Sequence, residues 1–159
     1  MYPFDNDYIP DESPMPVKAG KLPPQAVEIE VAILGAILID RDASLKVMQS
    51  LSEDVFYKES HRKIFSAMVT LFEKGEPIDV ITLTNELKRR GHLDAAGGAF
   101  YITDLTTKVV SGANVEYHSR ILVDKYVLRQ IITECSTIID KSFAEKNDAF
   151  QLLDEIEQR

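Results

Sequence analysis

Residues 25–39 read QAVEIEVAILGAILI and are apolar around nearly the whole circumference of a helix. They follow the pair Pro23-Pro24, which suits a helix start because proline fixes φ and the N–H that it lacks is not needed in the first turn. Gly35 costs about 1 kcal/mol relative to alanine inside a helix, so we attribute it to the close approach of another helix. We therefore predict a central buried helix from about residue 25 to residue 39.

Four more short helices are predicted after the central one, at about 43–51, 58–74, 82–90 and 98–108. Each carries apolar residues three and four positions apart, and turn signals such as Gly75 and Gly91 separate them. Thr82 is predicted to cap the helix at 82–90. In the helix at 58–74, the residues predicted to face the core are Ile64, Phe65, Met68, Leu71 and Phe72. The β-leaning run 78–81 is too short to change the fold class, which we predict to be all-α, a compact bundle of short helices.

A much longer helical pattern runs from Ser111 to about Ala144, which is roughly 45–50 Å at about 1.5 Å per residue. Its apolar residues form one stripe, and a second stripe begins after a break at 146–148, where Asp148 can cap a new helix. Two such stripes joined by a tight loop predict a long helical hairpin. The candidate subunit-interface residues on its two arms are Ile121, Leu128, Ile131, Ile132, Cys135, Ile138, Ile139, Leu152, Leu153 and Ile156.

The sequence alone does not determine what packs against this stripe. An apolar stripe left in water over several turns is an aggregation hazard or a docking site, and another subunit is its simplest cover. The alternative is that the second arm and the bundle cover it within one chain.

Residues 1–21 differ in composition from the rest, with four prolines, several acids and only scattered apolar side chains. Such a segment cannot offset its chain entropy by burial, so we expect a disordered tail. It is either inert or a short docking peptide that uses Tyr2, Phe4, Tyr8 and Ile9. The predicted organisation is thus a tail at 1–21, a globular bundle at 22–110 and a hairpin at 111–159.

The formal net charge of −8 opposes a surface built to neutralise phosphates, so we expect little direct nucleic-acid binding. A single Cys, no secretory leader and no apolar run of about eighteen residues indicate a cytoplasmic protein without a membrane span. His61, His92 and His118 are far apart in sequence and Cys135 stands alone, so no metal site is predicted.

Catalytic chemistry is not predicted either. The chain has no Gly-x-x-x-x-Gly-Lys-Ser/Thr loop to hold nucleotide phosphates. Acid pairs such as Asp40 with Asp42 flank helix starts, where carboxylates cap free N–H groups. His61 is interpreted as a hydrogen-bonded structural residue at the edge of the bundle.

A series of short motifs keeps a fixed order and spacing along the chain. The motifs are Leu22-Pro23-Pro24-Gln25, Glu28, Glu30, Ile33-Leu34-Gly35, Phe56-Tyr57, His61-Arg62, Ile64-Phe65, Ala67-Met68, Gly75-Glu76-Pro77-Ile78-Asp79, Thr82-Leu83, Leu87, Gly91, Leu93, Gly97-Gly98, Tyr101-Ile102, Ser111, Ala113-Asn114 and Leu128-Arg129. Together they resemble the N-terminal domain of the bacterial replicative DNA helicase family, DnaB. Ile29 and Val31 depart from the pattern, since a small and a polar residue are usual there.

The resemblance implies a parent protein that is a ring-shaped hexameric helicase, driven by ATP with Mg²⁺ and moving 5′ to 3′ on DNA. It implies that the motor is an absent C-terminal RecA-like domain, toward which the second arm would continue beyond Arg159. In that family the N-terminal domains pair through their hairpins as a trimer of dimers. The same collar receives the C-terminal helicase-binding domain of primase and, in some bacteria, a helicase loader.

For the primase surface, the candidates are aromatic and arginine residues near the junction of bundle and hairpin, because these types dominate interface energetics. They are Tyr101, Tyr117, Tyr126 and Arg129. The alternative is that Tyr101 and Tyr117 simply pack where the hairpin meets the bundle.

Two other functions remain open from the sequence alone. One is a small helical nucleic-acid-binding module that uses Lys88-Arg89-Arg90, although cations are also favoured in the last turn of a helix. The other is a stand-alone replication adaptor that never carried an ATPase.

Overall fold

The computed structural model describes residues 21–109, 111–144 and 148–158, and in these ranges every regular element is helical, which confirms the all-α prediction. Nearly all of the tail predicted at 1–21, most of the hairpin loop and Arg159 lie outside the described residues. The helices are α1 (Val27–Ile39), α2 (Arg41–Ser50), a short 3₁₀ turn (Glu53–Val55), α3 (Glu59–Glu73), α4 (Val80–Arg89), α5 (Gly98–Thr107), α6 (Val115–Phe143) and α7 (Ala149–Glu157).

Helix α1 is the centre of the bundle, as predicted, because α2, α3, α5 and α6 all pack against it. Ile33, Leu34 and Ile37 on this helix are buried. A Cβ added to Gly35 would lie 2.6 Å from Val109 Cγ2 and closer still to the carbonyl oxygen of Leu105. This confirms that Gly35 permits a close helix approach, here by α5.

The start of α1 differs from the prediction. Pro23-Pro24 does not form the first turn, and the helix begins at Val27, with Ile29 and Glu30 donating their backbone N–H groups to the Ala26 carbonyl. The Pro24 carbonyl instead accepts a hydrogen bond from Arg129 on α6. A tertiary contact therefore holds Pro24 in place outside the helix.

The capping of α2 follows the prediction and the capping of α4 does not. Asp40 caps α2 by accepting hydrogen bonds from the N–H groups of Asp42 and Ala43. In α4 the cap is Asp79, and Thr82 lies in the first turn, where its hydroxyl accepts a hydrogen bond from the Asp79 N–H. The two residues form a reciprocal capping box, so the helix starts at Val80, before the predicted position.

The core prediction for α3 holds except at its end. Ile64, Phe65, Met68 and Leu71 are buried, but Phe72 is 36% exposed because it reaches the rim of the bundle. Ile37, Leu38 and Leu45 lie beside it along a surface groove.

Helix α6 belongs to two parts of the molecule. Its first two turns are buried against the bundle through Val115, Ser119 and Leu122. The rest of the helix runs on as one arm of the hairpin and packs against α7, where Lys141 pairs with Glu155 at 2.5 Å. No described residue of α7 is buried. The bundle core therefore extends past residue 110 into α6. The division into a bundle at 22–110 and a hairpin at 111–159 stays a prediction.

Candidate subunit and partner interface

The predicted interface residues all lie at the surface of α6 and α7. Leu128, Ile131 and Ile132 are 39%, 52% and 52% exposed. Of the other predicted residues, Cys135, Leu153 and Ile156 are exposed, and Ile121, Ile138, Ile139 and Leu152 are half-buried. In the described part of the chain, the second arm and the bundle thus cover the stripe only partly.

The two arms of the hairpin form an open groove. Its lining combines apolar side chains of α6 with Ile156 of α7, and it includes the polar residues Gln130 and Glu134. The groove includes Val127, which is 46% exposed and was not predicted as an interface residue. Its signal was present in the sequence, because Val127 is four residues before Ile131 and therefore shares its face.

The tip of the hairpin carries two further exposed aromatic residues. Phe143 ends α6 and Phe150 begins α7, and both rings are largely in solvent. Neither Phe143 nor Phe150 is among the predicted interface residues. Both extend the exposed apolar surface to the end of the hairpin that is far from the bundle.

The four primase candidates occupy different environments. Tyr117 is exposed near the start of α6, so it is not packed as the alternative supposed. Tyr101 and Tyr126 are half-buried. Arg129 lies 5.8 Å from the ring centre of Tyr126, so the structure brings these two residues together.

Tyr101 belongs to a buried polar chain in the bundle. The Glu30 carboxylate lies 2.6 Å from His61 Nδ1, and His61 Nε2 lies 2.6 Å from the Tyr101 hydroxyl. Glu30 also accepts a hydrogen bond of 2.5 Å from the Tyr57 N–H. Burial raises the pKa of the Tyr101 phenol, partly opposed by the charge of Lys108.

His61 is hydrogen-bonded, as predicted, but its predicted position is wrong. It is fully buried beside Glu30, whereas we expected it at the edge of the bundle. The available signal was Glu30 itself, because a carboxylate on a mostly apolar central helix needs a hydrogen-bonding partner when it is buried. Which residue would supply that partner could not be read from local spacing.

Arg129 is engaged within the fold. Its guanidinium donates hydrogen bonds to the carbonyl oxygens of Pro24, at 2.9 Å, and Val55, at 2.7 Å. It also lies 5.7 Å from the ring centre of Tyr57. Burial lowers the pKa of the Arg129 guanidinium, and the nearby Glu30 charge opposes that change.

One acid, Glu86, pairs with two of the three cations in the basic run Lys88-Arg89-Arg90. Arg89 Nη2 and Arg90 Nε lie 2.6 Å and 2.8 Å from the Glu86 carboxylate. The hydrogen bonds from Arg89 and Arg90 lower the pKa of Glu86 to about 2. Arg90 also donates to Ser66 and Thr70 on α3, so it ties two helices together. Two of the three cations thus have structural partners, which weakens the case for a nucleic-acid groove contact.

Within the described ranges, no group of three or more His, Cys, Asp or Glu is placed to hold a metal ion. None of the helices described is both long enough and apolar enough to cross a membrane.

Fold and surface together define the class of this protein as a small all-helical domain that presents an exposed apolar hairpin. A family model described as "DnaB-like helicase N terminal domain" matches residues 22–124. The chain belongs to this family, as its sequence motifs indicated.

Relatives of known identity agree with this assignment. The replicative DNA helicase DnaB of Rhodothermus marinus is 45% identical over 140 residues, which cover 88% of this chain and 15% of that protein. The replicative DNA helicase DnaC of Bacillus subtilis is 38% identical over 138 residues, which cover 87% of this chain and 30% of that protein. The chain thus spans less than a third of the length of these curated relatives.

Solved structures agree with the fold. The crystal structure of the N-terminal domain of DnaB helicase from Mycobacterium tuberculosis matches with a TM-score of 0.81 at 32% identity, covering 86% of this chain and 96% of that one. A DnaB-like replicative helicase, described with its interactions with primase, matches with a TM-score of 0.63 at 23% identity, covering 84% of this chain and 35% of that one. The second match shows likeness of fold alone.

Proposed function

We propose that this chain is the oligomerisation and primase-docking collar of a hexameric replicative DNA helicase that acts in DNA replication and primosome assembly in the bacterial cytoplasm. Pairs of chains associate through their hairpins, and three pairs make the collar of the parent ring. The parent unwinds DNA from 5′ to 3′ with ATP and Mg²⁺. This chain has no phosphate-binding loop, so that nucleotide chemistry is assigned to the remainder of the parent.

One observation carries the pairing proposal, namely the half-exposed apolar stripe of α6. Leu128 and Ile132 are one helical turn apart and therefore share a face, and both are more than a third exposed. A folded domain gains nothing from holding such a stripe in water, whereas a second copy of the hairpin would remove it from water and contribute favourable free energy.

Native mass spectrometry of the chain and its variants tests the pairing. Leu128→Asp and Ile132→Asp each place a charge in the proposed interface. An uncompensated buried charge costs about 3–5 kcal/mol, and about 1.4 kcal/mol is tenfold in Kd, so we expect at least about 100-fold weaker association. The helical circular dichroism of the bundle should remain nearly unchanged.

Thr133→Asp is the matched control for these variants. Thr133 is exposed, follows Ile132 directly and points about 100° away from it around the helix. It adds the same charge to the same helix outside the stripe, so its association should equal that of the parent chain. Association that survives both stripe variants would refute the stripe as the subunit interface.

The docking proposal is supported by the primase interactions described for the DnaB-like structural match. The candidate contacts remain Tyr101, Tyr117, Tyr126 and Arg129, and exposure favours Tyr117 as a direct contact. Adding the C-terminal domain of primase to the native mass spectrometry experiment should give complexes of defined stoichiometry. If the chain associates with itself but ignores primase, the docking part of the proposal fails and the pairing part stands. A helicase loader is a further expected partner of the same collar.

A further inference from the structure

Hydrogen bonds of one side chain hold α6 at the point where it leaves the bundle. Leu122 is buried on α6, whereas Ile132, almost three turns later, is 52% exposed. Arg129 lies between them and is half-buried. Its side chain is therefore at the point where the hairpin begins to run free of the bundle.

Arg129 ties α6 to two distant segments at once. Its Nη1 atom donates to the Pro24 carbonyl, 105 residues away in sequence, and its Nη2 atom donates to the Val55 carbonyl, 74 residues away. The planar guanidinium fork fixes both the distance and the direction of such a contact, which a flexible lysine ammonium cannot reproduce. The rings of Tyr57 and Tyr126 lie beside the guanidinium and limit its movement.

A second layer, in the core, holds the acceptor of this contact in place. The Glu30 carboxylate accepts hydrogen bonds from the backbone N–H groups of Tyr57 and Lys58, two and three residues after Val55, whose carbonyl accepts from Arg129. His61 supports Glu30 from the first turn of α3 at 2.6 Å. The carbonyl groups that accept hydrogen bonds from Arg129 therefore belong to the bundle and not to the hairpin.

We propose that Arg129 is a positioning residue: seated on the segment that Glu30 holds, it fixes the direction in which the hairpin leaves the bundle. The inference rests on the proposed function, because pairing through hairpins requires both hairpins to project at a defined angle. Glu30 and His61 act through Arg129, although neither lies on the hairpin.

Distances between two spin labels measure this direction. The labels are attached at Lys88→Cys on the bundle and Ser142→Cys near the hairpin tip, both exposed positions, in a Cys135→Ser background. An excess of unlabelled chain ensures that only distances within one chain are recorded. Double electron–electron resonance then gives the mean and the width of the distance distribution.

Arg129→Gln removes the charge and the fork, and we expect at least a twofold wider distribution with unchanged helical circular dichroism. Arg129→Lys keeps the charge and can satisfy one carbonyl, so its width should lie between those of the parent and Arg129→Gln. Glu30→Gln should widen the distribution with Arg129 still present. Arg120→Gln is the matched control, because Arg120 is an exposed arginine on the same helix, and its distribution should equal that of the parent.

An unchanged distribution in Arg129→Gln overturns the inference, whatever its melting temperature does. If Arg129→Gln unfolds, the Arg129→Lys variant provides the test. A distance distribution as narrow as that of the parent in Arg129→Lys would then overturn the inference. Dimer formation of the unlabelled chain is measured separately. A widened distribution in Arg129→Gln, with a parent chain that never dimerises, keeps the positioning role and removes the proposed function. An unchanged distribution, with a parent chain that does dimerise, removes the positioning role and keeps the proposed function.

Discussion

Replacing Gly35 by alanine tests how tightly α5 is packed on the central helix. The new Cβ would lie 2.6 Å from Val109 Cγ2 and closer still to the Leu105 carbonyl oxygen. Carbon atoms normally pack at about 3.5–4.0 Å, so α5 would have to move by about 1 Å. Because one obstacle is backbone in a fully buried part of α5, side-chain rotation cannot relieve it.

Two effects of opposite sign determine how much Gly35→Ala changes the free energy of unfolding. Alanine gains up to about 1 kcal/mol of helix propensity over glycine. Overpacking a well-filled core costs about 1–3 kcal/mol, and a backbone obstacle argues for the upper part of that range. We expect Gly35→Ala to lower the free energy of unfolding by about 1–2 kcal/mol, which for a chain of this size lowers Tm by about 2–8 °C.

Urea unfolding followed by circular dichroism is the assay, with all variants at one protein concentration because association stabilises the folded chain. The midpoint should fall without a change in the slope m. Val109→Ala removes one of the two obstacles, so the double variant should lose less stability than the sum of the single variants. A Gly35→Ala chain as stable as the parent would show that α5 yields freely and would refute the packing argument.

Three further predictions concern α4 and its basic end. Glu86 has its pKa lowered to about 2, so its contribution to stability is present above its ordinary value of 4.5 and is lost as the pH falls toward 2. The stability difference between the parent and Glu86→Gln, measured by urea unfolding, should therefore shrink over that range, and a difference that grows would contradict the ion pairs. Asp79→Ala removes the cap of α4 and should cost about 1 kcal/mol in the same assay, whereas Asn, which also caps, should restore most of the loss. A low-salt titration with duplex DNA should show only weak binding, and tight binding with a steep salt dependence that Arg89→Ala reduces would revive the nucleic-acid module.

The sequence predicted those parts of the fold that depend on local pattern. Period-3.6 spacing placed the α-helices of the described ranges within a few residues. Gly35 indicated a close contact, because a helix interior disfavours glycine. Asp79 was missed as the cap of α4 because Thr82 is an equally acceptable capping residue on chemistry alone. Only the backbone geometry separates the two.

The polar interior could not be predicted in the same way. Glu30, His61 and Tyr101 are separated by 31 and 40 residues, and their contact depends on how α1, α3 and α5 cross. The same holds for Arg129, which was chosen as a surface contact for its residue type, while its partners are carbonyl oxygens that no side-chain pattern encodes. The apolar stripe of α6 was visible in the sequence, but the extent of its exposure depends on where the helix leaves the bundle.

The central position of α1 bears on how the chain folds as it is synthesised. Helix α1 is made before α6, yet α6 is one of the helices that bury it, and the hydrogen bond between Arg129 and Pro24 spans 105 residues. Until α6 has left the ribosome, the apolar surface of α1 lacks part of its cover, so the emerging chain must avoid aggregation until α6 is made. A chain cut at residue 110 would remain in that unfinished state, and α6 is the element that completes the fold.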